Sequence, residues 1–238
     1  MIALEGLTVA LGGGTALRGV DLEVAAGARL GVVGESGSGK TMLGLALMGM
    51  LPEAAEVIGR VRVADHELTA LPEPARARLR GPTVAMVFQD PMSALNPLQR
   101  IGTQIAEPMR WHEGIGRGAA RERALALLRE VGLPEPEARL AQYPHELSGG
   151  QRQRAMIALA LACNPKVLIA DEPTTALDAV VAARVLDLLR EVAERRGMTL
   201  ILISHDLGAV ERAAERIAVL YSGDLMETGA VGEVLAAP

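Results

Sequence analysis

The segment GESGSGKT, residues 34–41, has the residue types and spacing that bind a polyphosphate. It fits G-x-x-x-x-G-K-[ST], with a predicted strand before it and a predicted helix after it, which is the context that this motif requires. Its glycines let backbone N–H groups wrap the phosphates, while Lys40 reaches the β- and γ-phosphates and Thr41 offers a hydroxyl to Mg²⁺. The alternative is a glycine-rich turn that matches by chance. The predicted nucleotide-binding residues of this P-loop are Gly34, Glu35, Ser36, Gly37, Ser38, Gly39, Lys40 and Thr41.

A second chemical feature is a pair of carboxylates that follows the apolar stretch KVLIAD, residues 166–171. Asp171, at the end of this predicted strand, is placed to hold Mg²⁺. Glu172 is placed to orient or deprotonate an attacking water. Taken alone, the pair is equally typical of a solvated turn, but the P-loop upstream favours catalysis.

Gln89 and His205 each follow another predicted strand, at residues 83–90 and 199–206. A single glutamine or histidine is more often structural. Ligands of open α/β sheets, however, bind beyond the carboxyl ends of the strands. Gln89 is therefore predicted to contact Mg²⁺ or its water, and His205 to donate a hydrogen bond to the γ-phosphate.

The segment LSGGQ, residues 147–151, contains no obvious nucleophile, base or metal ligand. It places a serine and two glycines at the start of a predicted helix, where free backbone N–H groups attract anions. Ser148, Gly149, Gly150 and Gln151 are therefore predicted to bind an anion, whose identity these residues alone do not determine.

The elements that position these residues alternate between strand and helix, which predicts an α/β fold with a mostly parallel sheet covered on both faces. A helical block from 91 to about 162 looks inserted into this core. A polar, arginine-rich connector is predicted between 71 and 80. Predicted strands lie at 2–10, 29–34, 59–68, 83–90, 166–171, 199–206 and 218–224, and predicted helices at 40–51, 98–111, 118–133, 149–162, 179–197 and 207–217.

Composition excludes several classes of function. The chain has 238 residues and a net charge of −5, which argues against a protein that holds nucleic acid by charge. Four aromatic residues leave no stacking platform for single strands. The single cysteine, Cys163, excludes an internal disulfide and is expected to be buried and inert, and His66 and His112 are expected to be solvated. With no signal peptide or long apolar run, we expect a soluble protein from a reducing compartment.

The motifs occur in the order found in ABC transporter nucleotide-binding subunits, which the chain resembles over essentially its whole length. Residues 88–109 and 143–178 resemble, more narrowly, the ATPases of oligopeptide, dipeptide and nickel importers. The resemblance implies a P-loop NTPase fold, with an ABC ATPase core, an N-terminal antiparallel β subdomain and an inserted helical subdomain. The implied division is one domain over 1–238, with core segments 1–88 and 163–238 and a helical subdomain at 89–162.

The resemblance also implies a function: an ATP-binding and hydrolysing importer subunit for peptides or nickel-type solutes, at the cytoplasmic face of the inner membrane. Two such subunits would pair head to tail, so that the LSGGQ segment of one caps the ATP on the P-loop of the other. The implied partners are a second ATPase subunit, identical or paralogous, two membrane permeases that dock near 91–111, and indirectly an extracytoplasmic binding protein. The implied cofactors are ATP and Mg²⁺. The implied half-site that holds them comprises Lys40, Thr41, Gln89, Asp171, Glu172 and His205. The implied half-site that caps the ATP of the partner comprises Ser148, Gly149, Gly150 and Gln151, and Asp178 lies in the loop between the two half-sites.

Two features depart from that family. Where relatives stack an aromatic ring on adenine, this chain offers Leu11 and glycines. Longer relatives also continue beyond the length of this sequence, so it corresponds to a short member or a truncated chain.

Three other functions compete with this interpretation. A soluble ABC ATPase of DNA repair or translation is one, but about 100 residues separate the P-loop from LSGGQ and they lack heptads. A nucleotide sensor without catalysis is the second, and the presence of Glu172 and His205 argues against it. A GTPase switch is the third, and the sequence lacks a clear Asn-Lys-x-Asp motif.

Overall fold

The computed structural model describes residues 1–236, which form two sheets with helices around them. The strands are β1 (Ile2–Leu11), β2 (Gly14–Val24), β3 (Arg29–Val33), β4 (Glu56–Val63), β5 (His66–Glu67), β6 (Val84–Val87), β7 (Val167–Asp171), β8 (Thr199–Ile203), β9 (Arg216–Tyr221) and β10 (Asp224–Ala230). The helices are α1 (Lys40–Leu47), α2 (Glu73–Leu79), α3 (Pro91–Ala94), α4 (Ile101–Glu113), α5 (Arg117–Glu130), α6 (Pro136–Arg139), α7 (Gly149–Ala160), α8 (Ala179–Arg196), α9 (Leu207–Ala213) and α10 (Val231–Ala236).

The larger sheet has the strand order β10-β9-β3-β8-β7-β6 and is parallel except for β10. Strands β7 and β8 are buried throughout because helices cover both faces, which explains their uninterrupted apolar sequences. Since β3, β8, β7 and β6 run in one direction, their carboxyl ends meet at one edge of the sheet. This edge receives the P-loop, Asp171 and the residues that follow β6 and β8.

The smaller sheet is antiparallel, with the order β2-β1-β4-β5, and forms the N-terminal β subdomain. Helices α3 to α7 all lie between β6 and β7 in the chain, and α4, α5 and α7 pack together around Ile105, Met109, Leu128 and Met156. The α/β fold with a mostly parallel sheet, an antiparallel β subdomain and an inserted helical block is therefore confirmed. The division at 89–162 stays a prediction.

Three predicted elements were wrong. The helix expected over 207–217 ends at Ala213, and strand β9 begins at Arg216. The helix expected over 40–51 ends at Leu47, because Gly49 has φ +60° and its N–H bonds to Ala46 O while Met50 N bonds to Leu45 O. This paired hydrogen-bond pattern terminates helices. The connector expected at 71–80 contains helix α2, whose Glu73 binds Arg76 and Arg80.

Candidate nucleotide site

The P-loop joins the buried end of β3 to the start of α1, and close backbone contacts require its glycines. A Cβ on Gly34 would lie 2.1 Å from Leu220 O, and one on Gly39, whose φ is +102°, would lie 2.4 Å from Ala16 O. The loop closes around the ammonium group of Lys40, which donates to Gly34 O and Glu35 O, each at 2.8 Å. The backbone therefore already has the curvature that a phosphate chain needs.

Two polar atoms beside Lys40 are buried without a hydrogen-bond partner among the described residues: Ser38 Oγ and Asp171 Oδ1. Burial raises the pKa of Asp171, although a hydrogen bond with Thr41 and the charge of Lys40 partly oppose this shift. A hydroxyl group can donate a hydrogen bond to a phosphate oxygen, and carboxylate and hydroxyl oxygens are ligands that Mg²⁺ prefers. The residues present therefore fit a nucleotide polyphosphate with its magnesium ion.

Glu172 follows Asp171 directly and is fixed by contacts on both of its carboxylate oxygens. His205 Nδ1 lies 2.7 Å from Oε2 and 2.8 Å from Oε1, and the Thr175 hydroxyl donates to Oε2 at 3.0 Å. The backbone is fixed as well, since Glu172 N donates to Ile203 O. Glu172 is largely buried, whereas the His205 side chain is 66% exposed, so the imidazole stands between the carboxylate and open space.

Gln89 lies in an exposed bend just beyond β6, and the next residue, Asp90, accepts hydrogen bonds from the N-terminus of α3. Strand β6 pairs with β7 so that Val87 lies opposite Ala170. Gln89 and Asp171 therefore follow adjacent strand ends. Glu35, Ser36 and Gly37 form the exposed tip of the P-loop. The predicted P-loop, metal and catalytic residues thus all lie at the edge of the larger sheet where its parallel strands end.

The LSGGQ segment stands at the start of α7, which packs on α3, α4, α5, α8 and strand β6, whereas the P-loop leads into α1, which packs on β2, β4, β7 and β8. Ser148 is exposed and caps α7: its Oγ accepts from Gln151 N, and the Gln151 side chain accepts from Ser148 N. A Cβ on Gly150 would lie 2.9 Å from Val181 Cγ1. Gly150 is therefore required for packing, whatever it binds.

Asp178 lies in the exposed loop between Glu172 and α8. Its carboxylate caps α8 by accepting from Val180 N and Val181 N at 3.1 and 2.9 Å. The start of the LSGGQ helix lies against Val181 at the start of α8, directly after this loop. The Asp178 loop therefore connects the two groups of predicted site residues along the chain.

Sequence reasoning missed two features near the site. One is Thr175, whose only sequence signal is its position three residues after Glu172. The other is a groove of about 600 Å³ beside α4, which Phe88, Trp111 and His112 help to line. The expectation of a solvated His112 was wrong, because His112 is half-buried in this groove, and this burial lowers its pKa. Cys163 is buried as expected, and burial raises its pKa to about 11.

Comparisons with known proteins agree with this geometry. Residues 17–175 match the family described as ABC transporter. The chain is 47% identical to the dipeptide transport ATP-binding protein DppD of Haemophilus influenzae, over 92% of this chain and 67% of that protein. It is 45% identical to the oligopeptide transport ATP-binding protein OppD of Bacillus subtilis, over 94% of this chain and 63% of that protein. The chain thus spans about two thirds of the length of the curated relatives it matches.

The fold is also similar to a solved structure, the dimeric post-hydrolysis state of the ATP-binding cassette MJ0796 bound to ADP and Pi. The TM-score is 0.86 at 30% identity, over 97% of this chain and 99% of that one. None of the described helices is both long and apolar enough to span a bilayer. The chain therefore belongs to the ABC transporter family, and its domain is an ABC ATPase domain.

Proposed function

We propose that this chain is the ATP-hydrolysing subunit of an importer that takes up peptides, acting at the cytoplasmic face of the cell membrane. The observation that carries the proposal is the arrangement of Glu172, held by His205 and Thr175 beside the buried Asp171 and the P-loop. The relatives named for dipeptide and oligopeptide transport support peptides as the solute. No corresponding observation supports nickel.

Hydrolysis needs a base that faces the terminal phosphate. The Glu172 carboxylate takes a proton as a water oxygen bonds to the γ-phosphorus and the bond to the bridging oxygen breaks, releasing ADP and phosphate. His205 contacts Glu172 through Nδ1, which leaves Nε2, on the other side of the ring, as the nitrogen that would donate to a γ-phosphate oxygen. Thr41, Gln89 and Asp171 would hold Mg²⁺, which would neutralise the charge on the phosphates.

Lys40 has a separate task. Its ammonium group donates to two neutral carbonyl oxygens, those of Gly34 and Glu35. Phosphate oxygens are stronger acceptors for a cation, so Lys40 exchanges these bonds for bonds to the β- and γ-phosphates.

The second half of the site is contributed by another subunit, identical or paralogous. Ser148, Gly149, Gly150 and Gln151 are exposed or half-buried at the N-terminus of a 12-residue helix, and this end attracts anions. The helices that begin at LSGGQ and at the P-loop pack on different elements, so the ligand of this segment is taken to be the γ-phosphate held by a partner. The dimeric form of the ATP-binding cassette bound to ADP and Pi supports this arrangement.

The groove beside α4 is the docking surface for a permease. Its lining is mainly apolar, and it includes Trp111, which is 63% exposed, together with Phe88, Pro108 and Met156. A partly exposed tryptophan in a concave surface is typical of an interface anchor. Phe88 connects the groove to the site, because Gln89 is the next residue.

Phosphate release with Mg-ATP tests the proposal. Glu172→Gln is expected to lower the turnover at least 100-fold and to retain ATP binding, because the general base is removed while the phosphate contacts remain. The matched control is Glu191→Gln, the same change at an exposed position on α8. Turnover of Glu172→Gln close to that of the control would overturn the proposed role of Glu172.

A further inference from the structure

A cleft of about 500 Å³, distant in sequence from the P-loop and the carboxylates, lies between α4, α5 and residues 140–141. We propose that it binds a phosphate-bearing anion, independently of ATP at the P-loop. Its lining contains four arginines and no acidic residue. These residues are Arg100, Gly102, Thr103, Ala106, Arg110, Arg117, Arg121, Leu140 and Ala141.

The charges in this cleft are uncompensated. Within residues 1–236, the four cleft arginines form no ion pair, whereas the nearby Arg123 and Arg129 pair with Glu113 and Glu137. Arg117 and Arg121 stand at i and i+4 on α5, where like charges destabilise a helix. The first turn of α5 also carries no acidic residue and its N-cap is Gly116, so both cations lie at the positive end of the helix. An anion in the cleft would relieve all of these repulsions.

The shape and the chemistry favour a small phosphate compound. The floor of the cleft is built from small residues, because α4 packs closely on the segment that contains Leu140. A Cβ on Gly102 would lie 2.6 Å from Leu140 Cδ2. The volume is in the range of small-molecule sites, roughly 300–1,000 Å³. Arginines enter from both helices, and planar guanidinium groups bind phosphate oxygens in pairs. Arg100 also stands over the Tyr143 ring, 5.8 Å from its centroid, which restricts its orientation.

The test uses pyrophosphate as the probe, titrated by calorimetry into the full chain carrying Lys40→Ala, which removes the ammonium group of the P-loop. Adding Arg117→Gln and Arg121→Gln is expected to weaken pyrophosphate binding at least tenfold, because two charge-assisted contacts are lost. The matched control adds Arg78→Gln and Arg129→Gln, two exposed arginines outside the cleft, and removes the same charge. Circular dichroism verifies that all three chains are folded.

A second arm separates a soluble anion from a lipid headgroup. The same chains are sedimented with vesicles of phosphatidylglycerol and, for comparison, of phosphatidylcholine. Pyrophosphate binding that depends on Arg117 and Arg121 supports a soluble ligand. Phosphatidylglycerol binding with the same dependence, and no pyrophosphate binding, supports a headgroup. Equal binding by the cleft variant and the control, or no binding to either probe, overturns the proposal. Loss of ATP hydrolysis by Glu172→Gln is a separate result and does not bear on this cleft.

Discussion

Glu172 adopts a left-handed backbone conformation, with φ +46°, which a residue other than glycine adopts at a cost of about 1–2 kcal/mol. Its N–H bond to Ile203 O and its carboxylate contacts with His205 and Thr175 compensate for this strain. The conformation directs the carboxylate away from the line of β7 and toward His205. Backbone strain at this residue is thus consistent with its proposed role as the base.

Asp171 gives a prediction about stability in the absence of nucleotide. Burial raises its pKa in the folded protein above the unfolded value, so the ionised carboxylate destabilises the fold above the folded pKa. Asp171→Asn is therefore expected to raise the Tm of the nucleotide-free chain by a few degrees at pH 7. This gain in Tm should shrink as the pH falls through the pKa of Asp171 in the folded protein, and it should vanish below the pKa of Asp171 in the unfolded chain.

Thermal denaturation from pH 7 to pH 4, with and without Mg-ATP, measures this effect. With Mg-ATP the order of the two Tm values should reverse, so that the wild type has the higher Tm, because Asp171 is then needed as a ligand of Mg²⁺. A variant that is less stable than the wild type at pH 7 without nucleotide would contradict the assignment of Asp171 as a buried, uncompensated carboxylate.

At the residue scale, local sequence was sufficient to predict the positions of Lys40, Asp171 and Glu172 in the fold, because each stands at or just beyond the end of an apolar strand or its loop. Their roles stay predictions. It was insufficient for the carbonyl partners of Lys40 and for the Thr175 contact, which depend on how loops fold back. Cys163 was predicted correctly from its apolar neighbours, whereas His112 was not. The residues beside His112, Gly81 and the backbone of Arg80, are distant in sequence.

At the scale of elements, the junction of α7 and α8 gives a second prediction. Gly150→Ala would ordinarily stabilise a helix by roughly 0.5–1 kcal/mol. Here it is expected to lower the free energy of unfolding by about 1 kcal/mol or more, because the new methyl group meets Val181 Cγ1 at 2.9 Å. Val181 is branched at Cβ and has few alternative rotamers, so the strain is not easily relieved.

The double variant Gly150→Ala with Val181→Ala distinguishes packing from anion binding. Urea denaturation should show the double variant more stable than expected from the two single variants added together, since Val181→Ala removes the clash. Strict additivity of the two changes would contradict the packing argument. Restored stability without restored ATP turnover would assign an additional functional role to the Gly150 backbone.

Among the elements, the regular α/β units were predictable because their apolar periodicity is strong. Strand β2 was not, since bulges shift its register against β1 between Leu4 and Ala10 and interrupt the alternation of buried and exposed residues. Helix α2 was missed because Pro72 and Pro74 suggested a connector, whereas prolines are acceptable at a helix start.

At the scale of the whole molecule, Glu130 connects the helical block to the core. It ends α5 and binds Arg195 and Arg196 at the end of α8. Burial alone would raise the pKa of Glu130, but hydrogen bonds from the two guanidinium groups lower it overall. Because the folded pKa lies below the unfolded one, this contact stabilises the fold above the unfolded pKa and is lost as the pH falls through the folded pKa.

Glu130→Gln is therefore expected to lower the Tm by a few degrees at pH 7, and by progressively less as the pH falls below about 4.5, the usual pKa of a glutamate. Glu122→Gln, an exposed position on the same helix, is the control and should have little effect at any pH. A difference from the wild type that does not depend on pH would show that the ion pairs at Glu130 are not its cause.

The central claim is that Ser148 and its neighbours complete the site of a partner subunit, and for a pair of identical chains a mixing experiment tests it most directly. Lys40→Ala and Ser148→Arg should each abolish ATP hydrolysis alone, the first by removing a phosphate ligand and the second by blocking the LSGGQ surface. A mixed dimer contains one intact site, formed by the P-loop of one variant and the LSGGQ segment of the other. Phosphate release is therefore predicted to recover when the two inactive variants are mixed, toward the activity of one site per mixed dimer. A mixture that stays inactive beside an active wild-type chain would contradict the claim.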